Sequence, residues 1–211
     1  MKPVAAPVRS DRRRRRSDGE RSRRAILLAA AELATVEGLD GLSIGRLAQA
    51  IGMSKSGLYA HFGSKAELQL AAIDTAGSIF MDEVVRPGLA EPEGVARLHG
   101  ICEAFLGHVE RRVFPGGCFF ASAASELDTR PGPVQERVAA FQRDWMRTLE
   151  RLVGEGQERG EIADEADTAQ LAFELNALLL GANASFVLHG DADALERARL
   201  GIGDRLERWA A

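Results

Sequence analysis

Residues 43–62 read SIGRLAQAIGMSKSGLYAHF, and the fold turns on how this stretch is punctuated. Ser43 offers a side-chain oxygen to the free N–H groups that open a helix, and Leu42 and Leu47 bracket it at the spacing of a hydrophobic staple. Gly52 suits the left-handed residue that stops the helix, and only Met53 separates it from Ser54, a second capping residue. Two short helices must therefore meet at a tight turn. Ile44, Leu47, Ile51 and Leu58 supply their shared apolar contact, and Ala48 lets them cross closely. Ser54, Lys55, Ser56, Gly57, Tyr59 and His61 remain on the outside of the second helix, all small or able to hydrogen-bond. A helix-turn-helix so built lays its second helix in the major groove, which makes double-stranded DNA the expected partner. The competing reading is a buried three-helix packing unit with Tyr59 and His61 as ordinary surface residues.

Outside this stretch every strong signal is helical, which predicts an all-α fold. A first helix is expected from Ser17, in capping-box spacing with Glu20, to Gly38, burying Ile26, Ala30, Leu33 and Ala34. Ser64 and Glu67 open a long helix with Leu70, Ile73, Gly77, Phe80 and Val84 on one face, ended by Pro87. Further helices are expected from beyond Pro92 to about Phe114, over 119–127, after the Pro133 break, and over 164–189 and 192–209. The divisions are 1–19, a disordered basic arm; 20–66, the DNA-binding domain; and 67–211, a ligand-binding and dimerisation domain.

Charge separates along the same line. Residues 1–62 carry 12 Lys/Arg against 6 Asp/Glu, and the rest carries 15 against 25. A polyanion is drawn to the front and repelled by the back. The run of arginines at 12–16 reads either as a solvated tail or as an arm tracking the minor groove.

From Arg24 and Ile26 through LSIGRLAQAIGMSKSGLYAHFGSKAEL (42–68), the chain resembles the TetR family of repressors. Gly38, Ser43, Ala48, Gly52, Ser54, Lys55, Leu58, Tyr59, His61, Phe62, Lys65 and Leu68 fall where that family places such residues. The resemblance implies that Tyr59, His61 and Lys65 hold phosphates while the helix from Ser54 faces base edges. It also implies pairing through the last two helices, a ligand cavity in the larger domain, and release from a palindromic operator by a small molecule. Gly57 and Ala60 depart from the pattern, where a Thr and a larger polar residue are usual, so fewer side chains read bases.

Phe105, Phe120, Phe141, Trp145 and Phe173 are candidates for the cavity wall, with core packing the alternative, and Asn176 for orienting a ligand. Asn176 and Asn183 share a helix face and fit a dimer seam as well. An apolar wall in an acidic domain favours a hydrophobic or amphiphilic effector, a cationic one included. Ala177, Gly181 and Ser185 form a small-residue stripe, and Leu195, Ala198, Ile202, Leu206 and Trp209 an apolar one, both expected to pair with a second copy.

No P-loop, GxGxxG, GxSxG or HExxH motif is present, so no enzyme, metal or cofactor is expected. His99, Cys102, Glu103 and His108 read as partly buried helix residues. Two cysteines, Cys102 and Cys118, fit a reducing compartment. Residues 1–10 lack a signal-like apolar core, and 169–188 is broken by Glu174, Asn176 and Asn183, so a cytoplasmic protein with no membrane partner is expected. A DNA-binding activator or architectural protein without effector shares every feature of the front third and is the alternative function.

Overall fold

The computed structural model describes residues 9–211, with side chains from Gly19 onward. Among them are ten α-helices and one π turn, with an isolated bridge between Ile162 and Ala210 in place of any strand.

Helix α1 (Arg9–Glu37) begins eight residues ahead of Ser17, so the Ser17–Glu20 pair lies within the helix and does not cap its start. Arginine is a good helix former, and the expected arm from residue 9 to residue 19 continues α1 instead. The arm's first eight residues lie outside the described residues. Ile26, Ala30 and Ala34 face inward, and Gly38, at φ +83°, ends α1. Helices α2 (Ile44–Ile51) and α3 (Lys55–Tyr59) follow, then α4 (Lys65–Phe80). Ser64 caps α4 by accepting from the N–H of Glu67 at 3.1 Å. The Glu67 carboxylate turns back to the N–H of Gly63 at 3.0 Å, one residue ahead of the usual capping-box partner. The 66/67 division expected between domains thus falls inside the first turn of α4.

Pro87 does not end the chain's helical course. It is preceded by a π turn (Met81–Val85), where the Arg86 N–H reaches back to the Met81 carbonyl, and followed by α5 (Arg86–Leu89). Proline lacks an N–H and crowds the carbonyl four residues back, here that of Glu83; widening the helix by one residue relieves both conflicts.

The rest comprises α6 (Val95–Glu110), α7 (Phe119–Leu127), α8 (Pro133–Glu158), α9 (Thr168–His189) and α10 (Asp193–Arg208). Asp167 caps α9 through the N–H groups of Ala169 and Gln170. α6 stops four residues before Phe114, in a loop holding Arg112 at φ 50° and Gly117 at φ +82°. α9 packs on α8, α10 and α6, and α4 touches both α1 and α8. One apolar core runs from Ile26 to Leu206, so helices α1 to α3 and the rest share a continuous interior.

Candidate nucleic-acid interface and effector groove

The turn at 52–54 forms as its residues dictate. Ser43 accepts from the Arg46 N–H at 3.2 Å, while Leu42 and Leu47 are fully buried as the staple requires. Gly52 adopts φ 67°, the Met53 N–H bonds the Ala48 carbonyl at 3.0 Å, and Ser54 Oγ accepts from the Gly57 N–H at 3.1 Å. Leu58 alone of α3 is buried. Ser54, Lys55, Ser56 and Tyr59 face solvent, Tyr59 with 58% of its surface exposed, while Ser43, Gly57 and His61 are half-buried.

Gly57 has a local cause. A β-carbon there would stand 3.1 Å from Ser54 Oγ and crowd the cap. Gly45 likewise makes room for the Lys55 stem, whose Cε would lie 3.2 Å from any added methyl. Arg23 of α1 donates to the His61 carbonyl at 2.8 Å and sets its guanidinium 4.7 Å from the Phe62 ring centre, fixing α1 against the end of the reading unit. Lys65 is half-exposed and pairs at 3.0 Å with Asp40, 25 residues earlier in the chain. That pair and Arg130, 2.8 Å from the other Asp40 oxygen, hold the Asp40 carboxyl below its ordinary range, Lys65 having the larger effect.

A groove of about 580 Å³ opens between α4, the π turn and α8. Ile73, Gly77, Phe80, Val85, Phe141 and Trp145 form its apolar floor, and an Asp74–Arg137 ion pair stands at its edge with Ser78, Asp144 and Arg151. Of the expected cavity residues, Phe141 and Trp145 line this groove. Phe105, Phe120 and Asn176 join them around an inner void of only about 10 Å³, at the lower limit for one water molecule. Phe173 does not belong. It is 61% exposed, on the side of α9 opposite Leu171, Leu175 and Leu179. Asn176 accepts from the Trp145 indole N–H at 2.9 Å, and Asn183 from the Cys118 N–H at 2.9 Å, so both amides serve internal contacts. Half of the groove comes from α4, whose apolar stripe reads in sequence as core; Gly77, a gap in that stripe, is the available signal.

The stripe Leu195, Ala198, Ile202 and Leu206 is buried within the chain, against the expectation that a second copy covers it. The uncovered apolar line lies on α9 instead, where Phe173, Ala177, Gly181, Ala184 and Leu188 all face solvent, joined by Leu200 of α10. Cys102 and Cys118 are buried, which pushes their thiols up to about 12 and about 11, so neither is a thiolate at neutral pH. Glu103 is engaged by Arg199 at 3.1 Å.

Residues 26–72 match the family described as bacterial regulatory proteins, tetR family, and residues 94–202 match the tetracyclin repressor-like C-terminal domain. The chain belongs to the TetR family. Its similarity to a TetR transcriptional regulator from Chloroflexus aurantiacus is 30% in sequence, with a TM-score of 0.85 over 92% of this chain and 98% of that one. It is 26% identical to the transcriptional repressor ComR of Escherichia coli, over 89% of this chain and 88% of ComR. With the transcriptional regulator AcuR of Cereibacter sphaeroides it shares 24%, over 81% of this chain and 79% of AcuR. AibR, whose crystal structure contains isovaleryl coenzyme A and operator DNA, shares the TetR fold at a TM-score of 0.71 and 24% identity, over 86% of this chain and 96% of that one. The protein is a TetR-family DNA-binding transcriptional regulator, with a helix-turn-helix in front and a helical ligand-binding domain behind.

Proposed function

We infer that this regulator is a cytoplasmic repressor that binds a palindromic operator as a homodimer and is released by a hydrophobic or amphiphilic small molecule. One observation carries the reading. α4 begins three residues after Phe62, and its far half floors an apolar groove with charged groups at the rim, so one rigid element joins the reading helix to a cavity. An occupant favouring one placement of α4 biases the spacing of two recognition helices, which must stand about 34 Å apart to enter successive grooves of one duplex face. Ser54, Lys55, Ser56 and Gly57 meet the bases, Tyr59, His61 and Lys65 the phosphates, and Ser43 sits at the opening of the supporting helix. Phe141 and Trp145, backed by Phe105, Phe120 and Asn176, receive the apolar end of the effector.

α9 is long and apolar enough to cross a membrane by composition, yet it packs on α6, α8 and α10. Its outward stripe is best covered by the same helix of a second copy, which gives the symmetric four-helix seam that a two-fold operator needs.

Genomic fragments selected on the purified protein give the operator, and a thermal-shift screen of amphiphiles gives groove ligands. The expected result is a ligand that raises Tm and releases the operator. A ligand seated in the groove that leaves operator affinity untouched would favour an activator or architectural protein without an effector switch.

A further inference from the structure

We propose that Glu126 is a positioning residue for the DNA-reading unit: its carboxylate clamps the backbone just after α1 and carries movement of α7, which packs on the groove wall through Phe120 and Phe141, to the helix-turn-helix. The observation is a two-pronged contact between segments far apart in sequence. Glu126 Oε2 accepts from the Leu39 N–H and Oε1 from the Asp40 N–H, both at 2.6 Å. Gly38 makes this possible twice over. Its positive φ turns the next two N–H groups away from α1, and a β-carbon at Gly38 would stand 3.0 Å from the Glu126 carboxylate. Charge-assisted bonds to two successive N–H groups fix both the place and the direction of the segment.

The same two residues are gripped from α4. Gln69 donates to the Leu39 carbonyl at 2.7 Å in a buried contact, and Lys65 pairs with Asp40. Leu39 and Asp40 are therefore held between α4, which lines the groove, and α7, which reaches the groove wall through Phe141. On the α7 side, the Phe120 ring stacks on Phe141 with centres 3.3 Å apart and planes 5° from parallel, and Gln142 donates to the Phe120 carbonyl at 3.2 Å. Phe141 lines the groove. From Phe120 to Glu126 is less than two turns of one nine-residue helix, about 9 Å along its axis, so a shift of Phe120 is delivered to the clamp.

The coupling half of this proposal rests on the groove being the effector site, and the test separates the two. Gly77→Leu serves as a built-in occupant, because a β-carbon at Gly77 already lies 3.7 Å from Phe141 and 3.8 Å from Phe120. Operator affinity by fluorescence anisotropy and amide hydrogen exchange are measured for Gly77→Leu, Glu126→Ala and the double variant. Glu126→Gln, which keeps one acceptor, is the reserve should Glu126→Ala fold poorly.

Glu126→Ala is expected to speed exchange at Leu39 and Asp40 about tenfold, leave α8 to α10 unchanged and weaken operator binding. Gly77→Leu is expected to weaken binding about tenfold in the parent and less than twofold beside Glu126→Ala. Equal effects of Gly77→Leu in both backgrounds would overturn the coupling, and unchanged exchange at Leu39 and Asp40 would overturn the clamp. A Gly77→Leu variant that binds operator like the parent would overturn the groove reading and the coupling with it, leaving the clamp to be decided by exchange in Glu126→Ala.

Discussion

The backbone of Gly116, in the loop before α7, lies directly on Thr35 near the end of α1. A β-carbon at Gly116 would stand 1.9 Å from the Thr35 carbonyl oxygen, and the Gly116 N–H donates to Thr35 Oγ1 at 3.1 Å. Backbone atoms on both sides leave no flexible group to yield. Gly116→Ala should therefore force α1 and the loop apart, costing about 1–3 kcal/mol in urea unfolding and weakening operator binding. Thr35→Ser, which keeps the hydroxyl, should stay near the parent. Parent-like stability in Gly116→Ala would show that the two segments separate freely.

Tyr59 and Lys65 are assigned to phosphates, and Tyr59 is exposed enough that its loss should not disturb folding. Tyr59→Ala with Lys65→Ala should weaken operator binding while Tm changes little. Losing one cationic phosphate contact reduces the slope of log K against log salt by about 0.9. Sequence-selective binding with an undiminished slope would remove both residues from the interface.

Gly181 sits mid-stripe on α9 with nothing within 4 Å of where its β-carbon would be, so the isolated chain tolerates a side chain there. A helix packed against that stripe would not. Gly181→Glu should keep its helical circular dichroism, gain roughly 0.5 kcal/mol of helix propensity, and sediment at half the parent's mass. A dimer of parent stability would move the seam elsewhere.

His108 is buried on α6 with neither ring nitrogen hydrogen-bonded, edge-on to Phe80 and Phe114 at 6.1 and 5.7 Å. Burial lowers its pKa from 6.5 to about 4, against an opposing pull from Glu83 and with a smaller push from Arg111. The unfolded chain takes up a proton near 6.5 that the folded chain refuses until about 4. The stability this provides is complete above 6.5 and is lost as pH falls across that window, by up to about 3 kcal/mol. His108→Phe should flatten that limb of the curve of unfolding free energy against pH; an unaltered limb would assign it to other groups.

Residues whose signals are local were legible in the sequence. Ser43, Gly52, Ser54 and Ser64 each act within four residues of themselves, and capping chemistry alone places the reading unit. Misplaced features depended on distant partners. Phe173 and Leu206 are both apolar at helical spacing; which meets solvent is decided by how α9 and α10 lie on α6 and α8, and periodicity does not encode that. Asn176 reads as a ligand or dimer-seam contact because nothing local names Trp145 as the donor to its amide oxygen. Lys65 is legible from one side only, since its partner Asp40 lies 25 residues earlier. The α7 carboxylate at Glu126 gave no signal because its partners are main-chain N–H groups, identical in every sequence.

The widened turn before Pro87 stores one residue more than a regular helix would need over the same rise. Deleting any one residue from 81–85 would rewind that turn to a regular helix, keep α4 and α5 in phase, and bring the Pro87 ring back against the carbonyl four residues before it. Met81 and Val85, at the two ends of the turn, both line the groove, so the loss would alter its wall at that point. The extra residue thus sets the local shape of the groove wall while α1 to α4 keep their register.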